Sequence, residues 1–282
     1  MRKIDIFNHI LPERYVARMN EVAPGFKDVG RRVRGVPMLV DLDVRFRVMD
    51  AFDGYQQVLS IATPPIEAYA SPAHAADLAR LANDGMAELV ARYPDRFPAF
   101  IASLPMNDPD AAARAVGRAI RDLGARGVQV FTNVRGKPIV AAEFLPLFEG
   151  AAGYDLPIWL HPHRGAEIPD YATEDRSLYE IWWTFGWPYE TSVAMSRLVF
   201  SGIFDRHPNL KIITHHLGAM APYFEGRLGP GWDQLGARTS DEDYSAVLRR
   251  LRRRPLDYFR MFYADTALFG AYDATLCGLR FF

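Results

Sequence analysis

The chain has 282 residues, enough for one α/β barrel or two ordinary domains, and 49% of them are hydrophobic. Its 33 basic and 34 acidic side chains leave a net charge of −1, which gives no electrostatic case for nucleic acid or an anionic membrane surface. Cys277 is the only cysteine, so a disulfide within the chain is excluded, and no run approaches the roughly 18 consecutive apolar residues of a membrane span.

The first residues, MRKIDIFNHILPERY, hold no apolar run of signal-peptide length, and a cytoplasmic protein is the default expectation. Residues 3–7 read as a strand with His9 just beyond it. Pro12 and Glu13 then open a helix through Met19. Residues 22–43 are rich in Gly, Pro, Arg and Val and lack a helical period, the pattern of an insertion over the mouth of a barrel. A helix is predicted over 44–53, closed by Gly54, and a second strand over 55–61. Ser71-Pro72 caps the next helix, and 97–101 is the third strand. Asp108-Pro109 caps a helix over 111–123, followed by a strand at 127–131 and a helix at 141–152.

Residues 157–160 form the fifth strand and lead into His161-Pro162-His163-Arg164. The stretch 166–190 reads as a long aromatic loop with Trp182, Trp183, Phe185, Trp187 and Tyr189. A helix over 191–205 precedes the sixth strand, whose β-branched residues run into His215-His216. A helix starts at 221–226, 229–243 is a loop carrying Trp232, and 245–253 is helical. The seventh strand, 261–264, ends on Asp265, and 271–281 is the helix after it.

The alternation predicts one α/β domain over 1–282, a TIM-like (β/α)8 barrel. Only seven strand–helix units are counted against the eight of a closed barrel, so either the count is one short or the chain lacks the eighth unit. His9, His161, His215, His216 and Asp265 all follow the carboxyl ends of predicted strands, where the loops of a barrel build a site. Zinc needs three protein ligands and an open position, and His9 and His161 with Asp265 or His163 supply such a set. A histidine near neutral pKa suits proton transfer. His163 and Arg164 suit an anionic ligand or an ordinary surface loop. The tryptophans suit either an aromatic substrate wall or a homodimer contact.

Five stretches carry a family resemblance: IDIFNHILP, VRFRVMD at 44–50, IWLHPH at 158–163, SGIFDRHPNLKIITHHLGAMAPYFEGR at 201–227 and FYADTALFG at 262–270. In this order the chain resembles the metal-dependent amidohydrolase-related family that includes aminocarboxymuconate-semialdehyde decarboxylase and the resorcylate-type decarboxylases. The resemblance implies a divalent metal, zinc first, held by His9 and His161; the family's aspartate ligand belongs to an eighth strand, so Asp265, which ends the seventh, is expected as third ligand from its strand-end position alone. It implies that His216 stands over the metal-bound water or the substrate as the catalytic proton carrier. Arg45 matches an arginine that holds a substrate carboxylate, although Arg45 and Arg47 also suit salt bridges on a helix surface. His215 and Trp187 complete the expected substrate contacts. Phe7 stands where the family has a ligand, so weakened metal binding is expected. Being two residues from His9, its ring should share that face of the strand and floor the site.

The expected function is a metal-dependent decarboxylase of a small carboxylated cyclic or unsaturated substrate. A hydrolase using the same site, and a barrel with a degenerate metal site acting as a binding protein, are the alternatives.

Overall fold

The computed structural model of the chain describes every residue except Met1 and Phe26. Parallel strands β1 (Lys3–Ile10), β2 (Tyr55–Ile61) and β3 (Ala99–Phe100) form one run. β4 (Val128–Phe131) begins another, and a small antiparallel hairpin of β5 (Asn133–Val134) and β6 (Lys137–Pro138) follows it. β7 (Ile158–His161), β8 (Ile212–Thr214) and β9 (Tyr263–Ala264) then pair onto β4 in order, all parallel. A parallel bridge between Ala102 and Val128 joins the two runs. Among the described residues there are therefore seven successive parallel strands with helices between them. No pairing joins β1 to β9 there, and a cavity of about 920 Å³ separates their edges.

Two layers of packing hold this arrangement. The inner faces contribute Phe7, Val58, Ile101 and Trp159, with Ile213 packed against them. Trp159 Nε1 donates to the Ile6 carbonyl at 2.9 Å, tying β7 to β1 across the interior. Gly127 makes room for that indole: a Cβ there would lie 2.4 Å from the Trp159 ring and 2.3 Å from the Pro157 oxygen. The outer faces pack against the helices around Leu59, Leu78, Met86, Phe100 and Phe148. Helix starts follow their capping residues. Asp41 accepts from Val44 N at 3.0 Å, and Asp108 accepts from Ala111 N at 2.9 Å.

Three segments differ from the sequence expectation. The 22–43 stretch contains the helix Val29–Arg34 and the 3-10 turn Pro37–Leu39. Six helical residues are too few to show a period. The turn is tied to the end of β1, since Leu39 O accepts from Leu11 N at 2.7 Å. The aromatic stretch becomes helical at Ile181, and Trp187 and Tyr189 lie in the helix Gly186–Phe200. Trp187 is buried and Tyr189 exposed, so aromatics on both sides mask the helical pattern. Trp232 lies in the helix Glu225–Asp233, whose internal Pro230 reads as a break in sequence. No helix among the described residues is long and apolar enough to cross a membrane.

Candidate metal centre

Parallel pairing puts the ends of β1, β7, β8 and β9 at one rim. Three imidazoles meet there. His9, His161 and His215 each offer a nitrogen within 4.8 Å of the others. Ring centroids are 5.1 Å apart for His9 and His161, 5.0 Å for His161 and His215, and 5.9 Å for His9 and His215.

The Nδ1 atom of each ring is tied to a neighbour. His161 Nδ1 donates to the Pro162 carbonyl at 2.7 Å, and His215 Nδ1 donates to the Asp265 carboxylate. His9 Nδ1 lies 2.9 Å from Ser60 Oγ. Register explains that contact, because His9 and Ser60 are paired residues of β1 and β2. The Ser60 hydroxyl donates to the Asn8 carbonyl at 3.2 Å, so it accepts the His9 Nδ1 proton. With that assignment all three rings carry hydrogen on Nδ1 and a lone pair on Nε2, the state in which imidazole binds metal. Burial, then the neighbouring His215 and His216, lowers the His9 pKa to about 3. Burial and the same crowding hold His161 well below its ordinary value. Neutral rings are the ligand form.

Asp265, an expected ligand, stands behind the cluster. Its Oδ2 accepts from His215, while Oδ1 accepts from Leu217 N at 3.2 Å and Ala267 N at 3.1 Å. Among the described residues, the group that could hold a metal is the three histidines, without Asp265. His215, expected to touch substrate, is the third member of that group. His216 is displaced by one residue, with its ring centroid 4.0 Å from His215 and 6.4 Å from His161. Burial, then His215, pulls its pKa to about 3, and its buried Nδ1 has no hydrogen-bond partner among the described residues. His216, Leu217 and Ala219 all have positive φ, as does Gly218 between them. The Asp265 bond to Leu217 N helps hold that strained turn.

Phe7 lies under the triad. Its ring centroid is 4.3 Å from His215, 5.7 Å from His9 and 5.8 Å from His161. The shared face of Phe7 and His9 is thus present in the structure. Trp187 packs 5.4 Å from His161 and 6.3 Å from His216, with its Nε1 donating to the Arg164 carbonyl at 3.1 Å. Phe131, 5.1 Å from His161, and Phe269, 6.2 Å from His216, complete the aromatic walls. Sequence reasoning assigned neither residue. Phe131 was findable from its place at the end of a strand, whereas Phe269 sits on an irregular loop with no such signal. Arg45 is buried behind β1, with its donors taken up by protein acceptors.

The chain is 38% identical over 204 residues to the γ-resorcylate decarboxylase of Polaromonas sp., a match covering 67% of this chain and 60% of that protein. It is 31% identical over 227 residues to the 2-amino-3-carboxymuconate-6-semialdehyde decarboxylase of Dictyostelium discoideum, covering 80% of this chain and 59% of that one. The chain thus spans about three fifths of the length of these two relatives. It also superposes on the crystal structure of a dihydroxybenzoic acid decarboxylase from Polaromonas sp. with bound manganese and 2-nitroresorcinol. That likeness has a TM-score of 0.75 and 30% identity, over 99% of this chain and 82% of that chain. The amidohydrolase family profile matches residues 26–273. By that match and these likenesses, the chain belongs to the amidohydrolase family, in the branch of the γ-resorcylate and aminocarboxymuconate-semialdehyde decarboxylases.

Proposed function

We propose that the protein is a metal-dependent decarboxylase of a small, flat aromatic or unsaturated carboxylate. The observation that carries this reading is the convergence of His9, His161 and His215, each with its Nδ1 engaged by a neighbour. These side chains would hold a divalent cation. Three imidazoles without a carboxylate suit zinc, while the Polaromonas structure contains manganese. When bound, the cation supplies a Lewis acid toward a substrate oxygen.

The chain's own residues do the rest. Ser60, the Pro162 carbonyl and Asp265 keep the three rings oriented. The buried Trp187 and Phe131 offer flat apolar surfaces to a planar ring and exclude water from it, with the exposed Phe269 at the rim. His216, whose pKa burial lowers to about 3, is a neutral, weak base beside the cluster, and the negative charge of a bound carboxylate would raise its basicity for proton transfer. In decarboxylation the bond between the ring carbon and the carboxyl group breaks. Carbon dioxide leaves, and the proton goes to that carbon. The named relatives act on γ-resorcylate and on a carboxymuconate semialdehyde, both small unsaturated carboxylates.

Metal analysis of the purified protein, paired with carbon dioxide release from γ-resorcylate, tests the reading. Turnover that chelation abolishes and metal restores is expected. A protein that neither retains nor responds to divalent metal overturns it, and hydrolytic products without carbon dioxide favour the hydrolase alternative. A homodimer is the expected assembly, supported by exposed aromatics such as Tyr179, Phe185 and Tyr189, and sedimentation velocity checks it.

A further inference from the structure

Arg45 is an unusual cation. Only 3% of it is exposed. It lies on the helix Leu42–Met49, and no carboxylate lies within ion-pair distance of it among the described residues. Its charge is met by neutral oxygens instead. Nε donates to Met38 O at 2.9 Å, and Nη1 donates to Asn8 Oδ1 at 2.6 Å and Gln57 Oε1 at 2.7 Å. Nη2 donates to the carbonyl of His9 itself. Burial lowers its pKa to about 10, which still leaves it charged at neutral pH.

These acceptors lie around an irregularity. The register of β1 against β2 shifts between Asp5 and Asn8. Asp5 holds the other side of the shift, accepting from Phe7 N at 3.2 Å, Asn8 Nδ2 at 2.7 Å and Tyr55 Oη at 2.8 Å. The Asn8 amide therefore bridges an anion and a cation, Asp5 on one side and Arg45 on the other. A bulge changes the direction of the side chains that follow it. Here those include His9, and Arg45 clasps both the residue before it and its own carbonyl. A planar fork can meet several fixed acceptors at once, which an ammonium on a flexible stem cannot.

We propose that Arg45 is a positioning residue that sets the bulge in β1 and so aims the His9 ring into the histidine cluster, rather than a group that holds a substrate carboxylate. The proposal rests on the reading of His9, His161 and His215 as the metal-holding set. It separates two roles with opposite kinetic signatures. A positioning arginine acts on the metal and on kcat. A carboxylate-holding arginine acts on KM.

The test is Arg45→Lys, which keeps the charge and loses the fork, with Asn8→Ala as a second variant should the first fail to fold. Three readouts are compared with the parent protein: the zinc dissociation constant by chelator competition, the long-range 1H–15N spectrum of the histidine rings without metal, and KM and kcat for γ-resorcylate at saturating metal. Zinc binding about 10-fold to 100-fold weaker is expected, the range seen when groups behind metal ligands are removed. His9 ring signals should shift, and KM should stay within about twofold. Unchanged zinc affinity and unmoved His9 signals overturn the proposal, most directly if KM rises about tenfold or more. Should the parent protein bind no zinc, the metal reading fails by itself, and the ring spectrum still decides whether Arg45 aims His9.

Discussion

Asp265 accepts the Nδ1 proton of His215 with one carboxylate oxygen and two backbone amides with the other. Burial alone would raise its pKa, but the bond from His215 and the two amides together hold it below the ordinary carboxylate value. It is therefore an anion at neutral pH, placed to make the His215 ring more electron-rich and to fix its direction. Asp265→Asn keeps the shape and removes the charge. Zinc affinity should fall by about 10-fold to 100-fold, with the far-ultraviolet circular dichroism unchanged. Chelator competition measures it. Equal affinity in the two proteins would reduce Asp265 to a scaffold for the Leu217 turn.

Glu67 should make stability depend on pH at a distance from the cluster. It is 2% exposed, and its Oε1 has no hydrogen-bond partner among the described residues. Burial lifts its pKa from 4.5 to about 7. Between those values the folded protein keeps the proton and the unfolded chain releases it. Stability is thus fullest below about pH 4.5, falls as pH rises through the window, and levels off above about pH 7. A shift of this size corresponds to about 3 kcal/mol. Urea unfolding of Glu67→Gln at pH 5 and pH 8 should show that part of the slope gone and a gain at pH 8. A slope equal to the parent's would place the dependence on other groups.

The strands of this fold are legible because each carries a short β-branched or aromatic run closed by turn residues. β2 has the predicted bounds Tyr55–Ile61, and the others differ by a few residues at their ends. The cluster was legible in a way the family pattern concealed. Phe7, Trp159 and Ile213 belong to or pack on the inner layer, and His9, His161 and His215 each follow two residues later. Side chains two apart in a strand share a face, so the alternation of β8 points to His215, and His216 is one residue out of phase. The binding of Asp265 to His215 had no sequence signal, since it joins two loops 50 residues apart. The helical character of Trp187 and Trp232 was hidden for the local reasons of two-sided aromatics and an internal proline.

Phe7 bears on metal strength most directly. Its ring lies 4.3 Å from the His215 centroid, in the inner layer with Val58, Ile101 and Trp159. A phenyl group there contributes packing and offers no lone pair. Phe7→His exchanges part of that apolar contact for ring nitrogens at the floor of the cluster. The loss of buried apolar surface should lower metal-free stability by about 1–3 kcal/mol. Zinc affinity should rise by about tenfold or more, because a fourth nitrogen joins three that are already neutral and oriented. The two effects have opposite signs, so the thermal midpoint should fall without metal and recover with it. Phe7→Leu is the control: it should lose stability and gain no affinity. If Phe7→His binds zinc no more tightly than Phe7→Leu, the floor of the cluster is not a coordinating position.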